Sequence, residues 1–127
     1  MSGRVLLRTE EFRNEQDFKT WCMRYVCCNA ADTAFEIENE EKEPGFPDFM
    51  KVDFMGRAFF YETKFARKGG RFKFESTQPR FYRAHPTLNI KVVVWDAETH
   101  VAYFINAQEA ADKVLEKGSL TLNVREF

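Results

Sequence analysis

The stretch Gly45-Phe-Pro-Asp-Phe-Met-Lys-Val-Asp-Phe-Met-Gly-Arg-Ala-Phe-Phe-Tyr-Glu-Thr-Lys64 decides the fold. Two apolar runs flank Met55-Gly56-Arg57, and a short glycine-bearing connection between such runs predicts a β-hairpin. Asp48 stands at the mouth of the first run, and Glu62 and Lys64 sit near the end of the second. Strand side chains alternate faces, so Glu62 and Lys64 point one way and Thr63 the other. Pairing around the turn brings Asp48 close to Glu62. Two carboxylates and an amine then converge on one patch, a suitable seat for a hard cation beside a phosphate.

On the N-terminal side, Glu10 to Asn29 reads as a helix. Phe18, Trp21, Cys22, Tyr25 and Val26 recur at three- and four-residue spacing and form one apolar stripe. Thr9 is the expected N-cap, with Glu10 and Glu11 in the first turn. Glu15 shares the stripe of Phe18 and Cys22 and is expected to point inward. Thr33 to Glu38 predicts a strand with Phe35 and Ile37 on one face, and Glu38 to Glu43 an acidic, solvated connector. Pro44-Gly45 breaks the chain before the hairpin. Asp48 also suits a plainer role, closing a turn after Pro47. Asp53 alternates with Lys51 against Met50, Val52 and Phe54, so it is expected to face solvent.

On the C-terminal side the chain turns basic. From Lys64 to Arg83 lie Lys64, Arg67, Lys68, Arg71, Lys73, Arg80 and Arg83 against one acid, Glu75. Gly69-Gly70 predicts a sharp or mobile turn within this segment. Phe72, Phe74, Phe81 and Tyr82 are interleaved with the cations, where they stack on bases or anchor the segment to the core. Glu75 to Ala84 reads as a helix capped by Ser76 or Thr77, with Pro79 in its first turn and His85-Pro86 as its stop. Ile90 to Trp95 is a near-continuous apolar run, the mark of a strand buried on both faces. Val101 to Ile105 forms another strand beyond a turn at His100. Gln108 to Lys117 is an amphipathic helix ended by Gly118, and Leu120 to Val124 alternates as a last edge strand.

With 127 residues, the chain is expected to form one domain spanning 1–127. A hydrophobic share of 44% and an aromatic share of 16% predict a packed core rather than disorder. The formal net charge of −1 conceals the basic segment. Cys22, Cys27 and Cys28 are odd in number and lack matched CxxC spacing, which favours neither a disulfide framework nor a zinc site. A reducing, cytoplasmic interior is the expected compartment. No signal segment or membrane-length apolar run is read, so no membrane partner is expected. No phosphate-cradling glycine loop, Ser/His/Asp set or metal-spaced His/Cys cluster competes with the acidic patch.

Asp48 and Glu62-x-Lys64, preceded by Gly45-Phe-Pro47, resemble the PD-(D/E)xK nuclease superfamily, most of all its VRR-NUC and Holliday-junction-resolvase branches. The motif spans the middle of the chain, and the expected order of helix, three strands, helix and strand extends it. The resemblance implies an α/β, restriction-endonuclease-like αβββαβ core. Its central mixed sheet is flanked by helices, and this chain adds a C-terminal helix and an edge strand. The implied function is a metal-dependent endonuclease acting on DNA, branched or junction DNA included. Asp48, Glu62 and the carbonyl of Thr63 would bind Mg²⁺ or Mn²⁺, helped by a first-helix acid, Glu15 or in its place Glu11. Lys64 would orient the attacking water, and Gln78 would stand near the lysine on the second helix. Arg67, Lys68, Arg71, Lys73, Arg80 and Arg83 would meet the DNA phosphates. Symmetric cuts need two active sites, which implies a C2 homodimer joined through Leu120 to Val124 or exposed phenylalanines. Two other classes compete: a non-catalytic nucleic-acid-binding module on the same fold, and a small inhibitor or interaction protein using its basic face.

Overall fold

The computed structural model describes residues 3–8, 11–37 and 43–127. Eight strands and three helices follow one another among these residues: β1 (Gly3–Leu6), α1 (Glu15–Tyr25), β2 (Thr33–Glu36), β3 (Phe49–Val52), β4 (Ala58–Ala66), β5 (Arg71–Lys73), α2 (Thr77–Ala84), β6 (Ile90–Asp96), β7 (Val101–Asn106), α3 (Ala107–Lys117) and β8 (Thr121–Asn123). The fold is α/β. A mixed six-stranded sheet runs in the order β1-β7-β6-β4-β3-β2. Among the described strands only β4 and β6 pair in parallel, with Phe60 opposite Ile90 and Ala66 opposite Asp96. The crossover between them carries β5 and α2.

Alternation along the central strands builds a core on each face. Ile90, Val92 and Val94 of β6 pack with α2, α3 and the β5–β8 pair, whereas Val93 and Trp95 pack with Phe18 and Cys22 of α1. In β4, Phe60 and Ala66 join the first core, and Tyr61 and Phe65 join the second. The same period turns Glu62 and Lys64 toward α2 and Thr63 toward α1. Phe72, Phe74, Phe81 and Tyr82 are all buried, so the aromatics of the basic segment anchor it. Among the described residues, no helix is long and apolar enough to cross a membrane.

Several expectations need correction. The first helix begins at Glu15, where Asn14 caps it by accepting from the Asp17 N–H at 2.9 Å. Thr9 and Glu10 lie outside the described residues, as do residues 38–42 of the acidic connector. Glu15, being the first helical residue, is exposed rather than turned into the core. Leu120 to Val124 is not an edge of the central sheet: β8 pairs with β5, and Leu122 and Val124 are buried in this chain's own core. Strands β1 and β5 were not expected. Asp53 is buried, because its carboxylate closes the hairpin: Oδ1 accepts from the Met55 and Arg57 N–H groups, and Oδ2 from Arg57 Nε at 2.7 Å.

The approach to β3 is pressed hard against α2. Gly45 has φ of +89°, and a Cβ there would stand 2.3 Å from the Thr77 carbonyl oxygen. Phe46 packs edge-on to Phe60 and Phe81, and Pro47 is buried, which together aim Asp48 into the sheet. Gly56 has a similar φ of +78° but open space around it. Gly56→Ala is expected to cost about 1 kcal/mol of backbone strain. Gly45→Ala adds a rigid clash to the strain, and is expected to cost at least about 2 kcal/mol more. Urea unfolding of both variants checks this, and equal losses would mean that the close approach contributes nothing.

Candidate active site

The pairing of β3 with β4 sets the first part of the site. Phe49 lies opposite Tyr61, the last pair of that ladder, with Glu62 the next residue along β4. Asp48 N also donates to the Tyr61 carbonyl at 2.9 Å, so Asp48 is bulged against Tyr61 beside Phe49 rather than paired with Glu62. The Asp48 carboxylate is held at Oδ2 by the Thr63 N–H and the Thr63 hydroxyl, both at 3.0 Å. Glu62 is 5% exposed and Thr63 is equally enclosed.

Helix α2 supplies the second part. Gln78, on its first turn, accepts through Oε1 from Lys64 Nζ at 2.8 Å and from the Glu75 N–H at 2.9 Å. One amide oxygen thus fixes the lysine and the entry to the helix together. Lys64 also lies over the Phe74 ring, 5.4 Å from its centroid. One turn further along α2, Tyr82 is fully buried, and its hydroxyl makes no hydrogen bond among the described residues. Burial first, then the Glu62 and Asp48 charges, push the Tyr82 phenol well above its ordinary pKa. It therefore stays protonated beside the carboxylates, as a donor.

Outside this buried set lies an open cleft of about 540 Å³. Glu15 from the start of α1, Lys64, and Arg67, Arg71 and Lys73 from the basic segment line it, with Glu75 and Thr121 at its rim. Four cations face two carboxylates there, so the cleft favours anions. The structure thus gathers Asp48, Glu62, Thr63, Lys64 and Gln78 into one set and joins Glu15, Arg67, Arg71 and Lys73 to it through Lys64. Lys68 is exposed on the adjoining 3₁₀ turn and does not line the cleft. Arg83 is exposed on α2, and Arg80 lines a different cleft. Glu11 stands away from both, beside Phe12, Trp95 and His100.

As to a metal, no group of three or more His, Cys, Asp or Glu side chains that could hold one occurs among the described residues. Glu15 therefore does not complete a triad with Asp48 and Glu62. The pair alone still suits Mg²⁺ or Mn²⁺, because such ions keep several waters and use one or two carboxylates plus substrate phosphate. Hard oxygen donors, one of them nearly inaccessible to solvent, fit that class of ion better than a softer one.

A group that the sequence did not reveal holds the basic cleft in shape. Asp96, at the end of β6, is fully buried and receives Arg125 Nε at 2.7 Å and Nη2 at 3.2 Å. Arg125 Nη2 also donates to Glu98 at 2.7 Å, and Glu98 in turn accepts from the Gly69 N–H at 2.9 Å. Gly70 has φ of +81°, and a Cβ there would meet Arg125 Nε and Asn123 Oδ1 at 2.9 Å. The C-terminal segment therefore grips the turn between Arg67 and Arg71. An acid ending an apolar central strand was a signal for Asp96, since ligands gather at the carboxyl ends of parallel strands. Arg125 carried none.

No family model, curated protein or solved structure matches this chain significantly.

Burial resists ionisation of Asp96, but hydrogen bonds from Arg125 and Thr99 outweigh it and hold the carboxyl below its usual range. A lowered folded pKa contributes stability that is complete above the ordinary carboxylate range and is lost as pH falls through the folded value. Asp96→Asn is expected to lose about 3 kcal/mol at pH 7, the scale for breaking a buried pair. Its stability should also fall less steeply than wild type below pH 4 or so. Parallel acid and urea titrations would count against this if the two proteins keep the same stability difference at every pH.

Proposed function

We propose that this chain is a metal-dependent deoxyribonuclease built on a restriction-endonuclease-like core. The single observation that carries the reading is the Asp48 carboxylate fixed on Thr63 next to the buried Glu62, beside a Lys64 fixed by Gln78 at the mouth of a cationic cleft. The run α1-β2-β3-β4-α2-β6, interrupted only by the short β5, supports it as well.

In this reading Asp48 and Glu62 would hold the Mg²⁺ or Mn²⁺. Such an ion, when bound, supplies a water of lowered pKa and positive charge against the phosphate. The chain's own groups do the rest. Thr63 fixes the Asp48 carboxylate through two hydrogen bonds, so it need not reorganise as charge develops. Gln78 orients the Lys64 ammonium toward the cleft, where it offsets charge building on the phosphate. Arg67, Arg71 and Lys73 take the flanking phosphates of the strand, and the Asp96–Arg125–Glu98 grip keeps the turn that presents them in place.

Asp48→Asn, Glu62→Gln and Lys64→Ala should each lower cleavage of a mixed DNA panel by about a hundredfold or more, the scale for one preorganised electrostatic group. The two carboxamides should bind Mn²⁺ more weakly, whereas Lys64→Ala should bind it nearly as well as wild type. Circular dichroism and thermal melts check that each variant folds, a necessary control because Glu62 is buried. An Asp48→Asn protein that cuts at the wild-type rate would sink the reading.

Arg67→Gln together with Arg71→Gln should weaken DNA binding about equally for all sequences. The slope of log K against log salt should flatten by roughly one unit for each phosphate that is no longer neutralised. Fluorescence anisotropy at several salt concentrations measures it, and an unchanged slope would place the DNA elsewhere.

A further inference from the structure

A second cleft lies on the outer side of α2, bounded by the chain that leads into Asp48. Its volume is about 340 Å³, at the small end of ligand pockets. Glu43 and Pro44 form one wall, and Arg80, Phe81 and His85 form the other. The His85 ring lies against Phe81 with centroids 4.3 Å apart, and Phe81 is backed by Phe46 at 5.2 Å. Phe81 is almost wholly buried while His85 is exposed, so the outer face of the imidazole is the surface offered. His85 is also held in place, because its backbone N–H donates to the Phe81 and Tyr82 carbonyls where α2 ends. An exposed guanidinium, a supported aromatic face and a carboxylate thus meet in one concavity.

We propose that this cleft receives an unstacked nucleotide of the strand being cut. The base would stack on His85, as every base has a π-face to offer. Arg80 would take its phosphate by a charge-assisted hydrogen bond. The Glu43 carboxylate would accept from an exocyclic amine. Asp48 is four positions on from Pro44, at most about 14 Å of extended chain, so the pocket and the acid pair sit on neighbouring stretches of one strand's path. The inference rests on the nuclease reading for the source of the nucleotide, but the pocket's chemistry stands on its own residues.

The chain contains two histidines, so histidine ring NMR carries its own control. With EDTA present and no turnover, titration with dAMP should shift the His85 ring resonances and leave those of His100 in place. Deoxyribose 5-phosphate, which lacks the base, should shift them much less. A short single-stranded DNA should move the same His85 signals, and a continuous duplex of that sequence should not, because its bases remain stacked. Arg80→Ala, a change at an exposed position, should weaken dAMP binding about tenfold, the scale for one hydrogen bond to a charged group. The proposal is overturned if His85 is silent at millimolar dAMP, if the base-free sugar phosphate shifts it equally, or if duplex and single strand act alike. A protein that binds dAMP at His85 yet cuts no DNA would remove the nuclease reading and leave the pocket. One that cuts DNA with His85 silent would do the reverse.

Discussion

Two parallel strands cannot be joined by a tight turn, and that constraint shapes the middle of this protein. β4 and β6 lie side by side and run the same way, so the chain must leave the sheet after Ala66 and return at Ile90. The excursion places α2 across the face of β4. Gln78 then falls over Lys64, and Tyr82 lies one helical turn along, beside the Glu62 and Asp48 charges. A side-chain period of two on the strand meets a spacing of four on the helix. The charged patch is therefore a consequence of how a parallel pair must be connected.

The same excursion creates a difficulty that the C-terminal segment resolves. Arg67 and Arg71 stand close together about a glycine pair, joined locally by the Arg67 N–H on the Arg71 carbonyl and the Gly70 N–H on the Arg67 carbonyl. The turn is also held from outside: Glu98 takes the Gly69 N–H, and Arg125 spans Glu98 and Asp96. Partial exposure of Arg125 leaves its charge partly hydrated, while Asp96 is wholly enclosed. Such a pair depends on fork geometry, and Arg125 meets both Asp96 oxygens. A change at the far end of the chain is thus coupled to the cleft through two carboxylates and one backbone N–H.

The sequence conveyed those features that follow from local pattern. The apolar run Ile90 to Trp95 is a strand buried on both faces, Gly118 ends α3 in the left-handed conformation, and Gly56 turns the hairpin. The nearness of Gln78 to Lys64 came only from the resemblance, which implies a glutamine on the second helix beside the lysine; the local pattern located the strand and the helix but not their contact. What escaped was non-local or too short to be periodic. β1 is four residues at an edge, and β5 is three residues around one phenylalanine, paired with a strand far along the chain. Asp53 misled because alternation assumes a strand, whereas an Asp entering a turn bonds the turn's own N–H groups. Glu15 misled because helical periodicity says nothing about a residue at the helix's first position, where Asn14 and not Thr9 is the cap.

Like charges held close together are destabilising, and a carboxylate taken from water is costly. Asp48 and Glu62 incur both costs in one place. Asp48 is partly relieved by the Thr63 N–H and hydroxyl. Glu62 lies near a Tyr82 hydroxyl that has no hydrogen bond among the described residues and is held protonated by its surroundings. A chain selected for stability alone would place an apolar residue at Glu62, as it does at Phe60 on the same face. Local rules are broken in natural proteins chiefly where a site requires it, and perturbed titratable groups gather at such sites. The acid pair, and not the cationic cleft beside it, is therefore the feature that distinguishes this fold from a simple anion-binding surface.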